Sequence, residues 1–427
     1  MSPYIVLRDT PNQTKPKHAE KHQNQPRTTQ NSGVSCVGAD GLPLADAAVT
    51  VTQANHDFLF GNIGFDLVDV INGSDTSEFS AQLMDDYLAL FNATTLPFYL
   101  GRFEKVRAEP DTARQLAAAR FFQAHGQVVK GHPLLWHSVT PAWLNTLALP
   151  EVEAVYRARI RRDVADFAGV IDTWDAINEA VIMPVFTADD NAVTKLAYLK
   201  GRIAMVRLAF EEARATNPAA TLLINDFDLG SAYECLIEGC LEAGIPIDVI
   251  GLQTHMHQGF RGEEYLIDKV EKFARYGLPL HFTETSLVSG HLMPPEIVDL
   301  NDYHIPAWPS TPEGEERQAE EIRRHYTCLV SQPAVRDIVY WGITDRRSWL
   351  GAPIGLIRAD GTHKPSYDML AGLIKGEWWV STSEGRTDSN GQFELDGWLG
   401  SYDVSFAGQT RRIHLGTPGC LSLEVRL

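Results

Sequence analysis

The sequence predicts an α/β fold: a (β/α)8 TIM barrel of eight parallel strands, with a small accessory β-sandwich formed by the N- and C-terminal segments. Three observations predict it. Eight continuous apolar runs recur through the middle of the chain, as expected for parallel strands covered on both faces. Helical segments with recognisable start and stop residues separate them. Short β-rich runs punctuated by turn residues lie at both ends and flank everything else.

Composition limits the function classes. The chain has 427 residues, 44% hydrophobic and 22% charged, which suits a globular protein. Asp and Glu total 55 against 37 Lys and Arg, a net charge of −18. No basic run supplies a nucleic-acid footprint, so no nucleic-acid partner is expected. No apolar stretch is long enough for a membrane span, so no membrane partner is expected either. The five cysteines form no C-x-x-C pair and read as reduced, mostly buried thiols.

Residues 1–32 are rich in Gln, Asn, Lys, Thr and Pro and are expected to be a disordered leader. Only Tyr4 to Leu7 are apolar there, too few for a secretory signal. The expected location is therefore cytoplasmic, or secreted without a recognisable signal. Residues 33–57 form an N-terminal β segment in which Asp40-Gly41 signals a hairpin. Residues 377–427 have the same texture, with Asn390-Gly391 and strand-like runs near 392–395, 401–407, 410–415 and 421–426. The two segments are expected to combine into one split module.

Between them, residues 58–376 carry the barrel. The strand-like runs are 58–65, 93–100, 128–136, 173–179, 221–228, 248–256, 279–285 and 337–345. Asp111 is a candidate N-cap for a helix that stops at Gly126. A helix rich in Arg and Ala ends at Asn217-Pro218, where proline cannot continue it. Another begins with Thr311 as cap and Pro312 in first position. An open doubly wound sheet is the competing architecture, but no G-x-G-x-x-G or P-loop supports nucleotide binding, and no cofactor is expected.

Barrel enzymes place their chemistry at the C-terminal ends of the strands. Here those ends carry His132, Trp136 and His137; Asn178 and Glu179; Asn225 and Asp226; Gln253, His255 and His257; Glu284; and Trp341, Asp345 and Trp349. Two carboxylates on separate strands are what glycoside hydrolysis needs, one to protonate the departing oxygen and one to attack the sugar carbon or activate water. Trp faces suit sugar rings, and Asn, Gln and His suit hydroxyls. Six of the nine Trp, at 136, 143, 174, 308, 341 and 349, fall where such a site would lie. His255-x-His257 also admits a metal-dependent barrel hydrolase, although no Asp or Cys set completes a sphere and no metal is expected. A non-catalytic carbohydrate-binding barrel is the third reading. No G-x-S-x-G elbow supports a serine triad.

The segments GHPLLWHSVTPAWL, TWDAINEA, LLINDFDL, GLQTHMH, FTET and YWGITDRRSWLGAPIGLI, with KPSYDML after them, resemble the family 10 glycoside hydrolases, best known as endo-β-1,4-xylanases. The resemblance covers about residues 58–375 in the family's motif order. It implies Glu179 as general acid/base and Glu284 as nucleophile of a retaining double displacement. It implies Asn178 on the sugar 2-hydroxyl, and His255 orienting Glu284 with Gln253 beside it. His132 and Trp136 would contact the same sugar, walled by Trp341 and Trp349. The implied partner is a β-linked polysaccharide or oligosaccharide, xylan or xylo-oligosaccharides first. An exo-acting or oligosaccharide-specific β-glycosidase on another β-linked glycan is the alternative.

Three departures mark this chain. The family's E-N-x-M-K-W stretch is Leu96-Pro97-Phe98-Tyr99-Leu100-Gly101-Arg102, so Arg102 or Glu104 would have to replace its polar contacts. T-E-L-D is Thr283-Glu284-Thr285-Ser286, and N-D-Y is Asn225-Asp226-Phe227. The long segment 286–310 is expected to cover the cleft and to offer Tyr303 and Trp308 to substrate, with His137 a further candidate.

Overall fold

A computed structural model describes residues 28–38, 41–416 and 422–426. The expected leader up to residue 27, and Asp40 of the expected hairpin, lie outside the described residues. Among the described residues fifteen strands divide among one closed barrel and two small sheets.

The barrel strands are β3 (Leu59–Ile63), β4 (Ala93–Pro97), β5 (Val128–His132), β6 (Thr173–Asn178), β7 (Thr221–Asp226), β8 (Val249–Met256), β9 (Leu280–Leu287) and β10 (Val335–Tyr340). All eight predicted runs are present, and they close in chain order with β10 pairing both β9 and β3. The helix over Thr112–Ala124 follows Asp111, whose side chain makes no cap bond. It stops before Gly126, at φ +77. Thr311 does cap the helix Pro312–Val330, accepting from the Gly314 N–H at 3.1 Å. Gly201 breaks the Arg- and Ala-rich stretch into helices Ala192–Lys200 and Arg202–Thr216.

The core runs from the barrel interior out to the helices. Trp174 is fully buried against Phe98 and Phe167, packed edge-on to each. Gly131 on the neighbouring strand makes room for it, since a Cβ there would lie 2.1 Å from the indole. Trp174 is therefore a core residue and not a sugar face.

The ends of the chain interleave into a sandwich. β1 (Thr28–Val37) lies between β12 (Gln392–Trp398) and β15 (Ser422–Arg426). β2 (Ala48–His56) lies between β11 (Ser383–Arg386) and β13 (Gly400–Phe406), with β14 (Gln409–Leu415) outside. Val34, Cys36, Val51, Leu395, Tyr402 and Val404 fill the space between the sheets. The chain does turn near Gly41, where Val37 bridges Pro43, but β1 and β2 then part into different sheets. That corrects the hairpin reading. β1 also begins inside the expected leader: Thr28 and Thr29 pair with Trp398 and Gly397. A ladder bonds through the backbone, so a polar sequence does not prevent it.

The sandwich sits at the N-terminal end of the barrel strands. His56 is buried there, its Nε2 3.1 Å from the Ile374 carbonyl and its ring packed on Phe60, Trp379 and Trp398. Trp378 stacks on Phe60 and tilts against Trp398. Three of the nine Trp thus join module to barrel, on the face opposite the strand ends that carry the candidate site. Among the described residues no helix is long and apolar enough to cross a membrane.

Candidate active site

Two carboxylates meet in one hydrogen-bonded network at the C-terminal ends of the strands. Glu179 follows β6 with its backbone in the left-handed region, φ +56, where its N–H donates to the Asn225 carbonyl at 2.8 Å. Such a conformation is costly for a side-chain-bearing residue and is held only by what surrounds it. The Trp136 indole Nε1–H donates to Glu179 Oε2 at 2.8 Å. Burial, then the charge of Glu284, then that of Asp226 push the Glu179 carboxyl up to about 8, against the donors from Trp136 and Gln253.

Glu284 on β9 is held differently. Asn225 Nδ2 donates to its Oε1 at 3.1 Å, and His255 Nε2 lies 3.1 Å from its Oε2. His255 Nδ1 is 2.8 Å from the Ser286 hydroxyl. With that hydroxyl donating to Nδ1, Nε2 carries the proton toward Glu284. Ser286 therefore orients His255 toward Glu284. His132 approaches Glu284 Oε1 at 3.8 Å through Nε2, while its Nδ1–H is bonded to Asp175 Oδ2 at 2.7 Å.

The amides tie the pair together. Asn178 Oδ1 accepts from Asn225 Nδ2 at 2.8 Å and from Gln253 Nε2 at 3.0 Å. Gly251 is needed for this, since a Cβ there would lie 2.5 Å from Asn225 Oδ1. With its oxygen occupied, Asn178 keeps Nδ2 for a ligand hydroxyl. Trp341 packs edge-on to His132 at 5.2 Å, and Trp349 lies against His255 at 4.8 Å. His137 is buried beside Phe186, 4.0 Å from Glu179 Oε2, and burial pushes its imidazole down to about 3.

Several contributors were not picked out from the sequence. Tyr99 packs against both His132 and Trp136, at 5.5 and 5.4 Å, and Phe65 joins Tyr99 to Trp341. Asp175 and Lys130 form a buried ion pair of 3.1 Å beneath His132. Burial alone would raise the Asp175 carboxyl, but Lys130 and His132 outweigh it and hold it low. Opposite charges inside two adjacent apolar runs, V-V-K-G-H and T-W-D-A-I-N, were the available signal. Asp226, by contrast, stands among the strand-end residues read from the sequence; it accepts from the N–H groups of Val181 and Asp228, and burial pushes it up to about 7.

Other expected residues lie elsewhere. Glu104 is buried and paired with Arg162 at 2.7 Å, with its second oxygen accepting from the Ala108 N–H, so it is unavailable to substrate. Trp143 is occupied by the Glu104 carbonyl and covered by Arg107. Trp308 is 6% exposed, in a small core with Val288, Met293, Ala352 and Ile354. Tyr303 bonds His291 Nε2 at 2.9 Å and packs on Trp308. The segment 286–310 therefore spends its aromatics on its own core. Beyond Ser286, its aromatics meet the site through Trp308 and His257, 6.0 Å apart, with His257 5.1 Å from Trp349. Asp345 is locked by Lys364 at 2.8 Å. Among the described residues no group of three or more His, Cys, Asp or Glu is placed to hold a metal ion.

A family model described as glycosyl hydrolase family 10 matches residues 104–372, more than half of the chain. The chain belongs to that family. The family 10 chain is 29% identical over 242 residues to endo-1,4-beta-xylanase B of Thermotoga neapolitana, covering 54% of this chain and 63% of that protein. It is 28% identical over 265 residues to endo-1,4-beta-xylanase 3 of Hypocrea jecorina, covering 60% and 67%. It thus spans about two thirds of the length of these relatives. The solved structure of xylanase 10B from Thermotoga petrophila RKU-1 with xylobiose superposes with a TM-score of 0.62 at 21% identity. That match covers 75% of this chain and 95% of that one, a likeness of fold.

Proposed function

We propose that this family 10 protein hydrolyses β-1,4-linked xylan or xylo-oligosaccharides with retention of configuration, through Glu179 as acid/base and Glu284 as nucleophile. The observation that carries the reading is the contrast between the two carboxyls. Glu179 is pushed up to about 8 and holds its proton near neutral pH, while Glu284 faces two N–H donors. The similarity to endo-1,4-beta-xylanases supports the choice of xylan.

In the first step the Glu284 carboxylate attacks the anomeric carbon. The glycosidic C–O bond breaks and the Glu179 proton passes to the leaving oxygen. The product is a glycosyl ester on Glu284, which is neutral. Loss of that negative charge removes one of the two main causes that raise Glu179, so Glu179, having given up its proton, can remain ionised. It then takes a proton from water as the water oxygen attacks the anomeric carbon, and Glu284 departs as carboxylate. Asn178 Nδ2 donates to the sugar 2-hydroxyl, His132 and Trp136 contact the same ring, and Trp341 and Trp349 wall it. Residues 58–376 act as the catalytic unit, and the split sandwich serves as a support, its Trp398 being turned into the barrel contact.

The test is proton NMR of an aryl β-xylobioside digest, read before mutarotation. The β anomer is expected as first product; the α anomer would overturn the retaining mechanism. Absence of turnover on any xylo-oligosaccharide would overturn the substrate. A chain-end cutting mode is favoured by one observation: Tyr99 sets an apolar ring against Trp136 and His132 in place of polar sugar contacts. Release of monosaccharide from the outset, rather than mixed oligosaccharides, distinguishes that mode.

A further inference from the structure

The rim beside β4 is basic, although the chain as a whole carries a net charge of −18. Arg102, Lys105 and Arg107 fall within six residues and are all exposed. Among the described residues none of the three has a carboxylate at ion-pair distance; Glu104, the acid that lies between them, is taken by Arg162 at 2.7 Å. By contrast the half-buried Arg114 is paired with Asp69, and Arg324 with Glu263.

Arg102 is also the one of the three that reaches the site. Its guanidinium lies 5.7 Å from the centre of the Tyr99 ring. Tyr99 in turn packs on His132, which faces Glu284, and on Trp136, which donates to Glu179. The short helix carrying Arg102, Leu100–Phe103, is fixed at its base by the Gly101 N–H donating to the Val139 carbonyl at 2.7 Å. A guanidinium held over a site aromatic, with its fork free, is suited to a planar carboxylate in bidentate geometry. The overall negative charge does not cancel this, because charges beyond about 10 Å are largely screened at 0.1 M salt.

We propose that Arg102 binds the carboxylate of an acidic sugar on the glycan chain, so that the cleft prefers β-linked glycans carrying a hexuronic acid group. The proposal rests on the glycosidase reading for the identity of the main chain, and it names the substrate class of that same site. Arg102 then replaces, by a charged contact, the polar contacts absent from the segment Leu96 to Arg102.

The test is calorimetric binding to the Glu179→Gln protein, which leaves the ligand uncleaved. One ligand is a xylo-oligosaccharide bearing a hexuronic acid branch. The other is the same oligosaccharide with that carboxyl reduced to the alcohol. The acid is expected to bind about tenfold tighter at low ionic strength, the range of one charge-assisted bidentate contact, with the preference shrinking in salt. Adding Arg102→Gln is expected to bring the ratio close to one, and Arg102→Lys to leave an intermediate ratio. Equal affinities for the two ligands, or a preference that survives Arg102→Gln, would overturn the proposal. Turnover assays on the wild-type protein report separately on the glycosidase reading: selective binding without turnover would overturn that reading and leave the carboxylate contact standing.

Discussion

Replacing Glu179 by Gln is expected to change stability in a way that depends on pH. In the folded protein this carboxyl is raised from 4.5 to about 8 by burial and by the nearby negative charges. Between those two values the folded state holds a proton that the unfolded chain has released. Stability from this group is therefore complete below about pH 4.5 and is lost as pH rises toward 8. A difference of roughly 3.5 pKa units at about 1.4 kcal/mol each gives an upper figure near 5 kcal/mol. Gln stays neutral throughout. The variant should thus gain several kcal/mol over wild type at pH 9 relative to pH 4.5. Asp226, whose charge helps raise Glu179, belongs to the same coupled effect, whereas Asp337, also pushed up to about 7, is present in both proteins and cancels in the comparison. So does any fixed cost of rearranging the bonds from Trp136 and Gln253. The assay is urea denaturation of both proteins at the two pH values. A wild-type-to-variant difference that is the same at both would refute the claim that Glu179 is a buried, proton-retaining acid.

Three further outcomes are expected. Glu284→Gln removes the second-largest cause of the Glu179 shift, so the Glu179 carboxyl, followed by carbon NMR, should titrate below the wild-type value; an unchanged titration would contradict the coupling. Trp136→Phe removes a donor that favours the ionised form of Glu179. With charged acceptors favoured over neutral ones by about 1 kcal/mol, the basic limb of the kcat/KM profile should move up by roughly 0.7 unit, and a downward move would contradict it. Asp175→Asn leaves Lys130 buried without its counter-charge and loosens His132. A loss of about 3–5 kcal/mol in denaturation and a fall in kcat/KM are expected, and a loss under about 1 kcal/mol would count against the role assigned to that pair.

The barrel was legible because its signal is local. Each parallel strand is a continuous apolar run, and polar residues at the end of such a run have no structural reason to be there unless they face a site. Glu179, Glu284, Asn178, His255 and His132 were found that way, and the structure brings them together. What was not legible depends on partners distant in sequence. Glu104 looked available until Arg162 folded against it. Trp308 and Tyr303 looked like sugar platforms, but segment 286–310 needed them to build a core of its own. Tyr99 sat inside an apolar run and read as strand, whereas the strand ends at Pro97 and the ring turns into the site. Strand β11, Ser-Glu-Gly-Arg, has no apolar alternation to betray it, because its ladder to β2 is made by the backbone. For the same reason β1 extends back into polar sequence as far as Thr28.

The most direct measurement is mass spectrometry of the protein inactivated with an aryl 2-deoxy-2-fluoro-β-xylobioside. The fluorine slows both steps by destabilising positive charge at the anomeric carbon, and the good leaving group lets the first step proceed. One glycosyl unit esterified to Glu284 is the predicted result. An adduct on another residue, or rapid turnover of ordinary substrate in a protein that never accumulates an adduct, would contradict the double-displacement account.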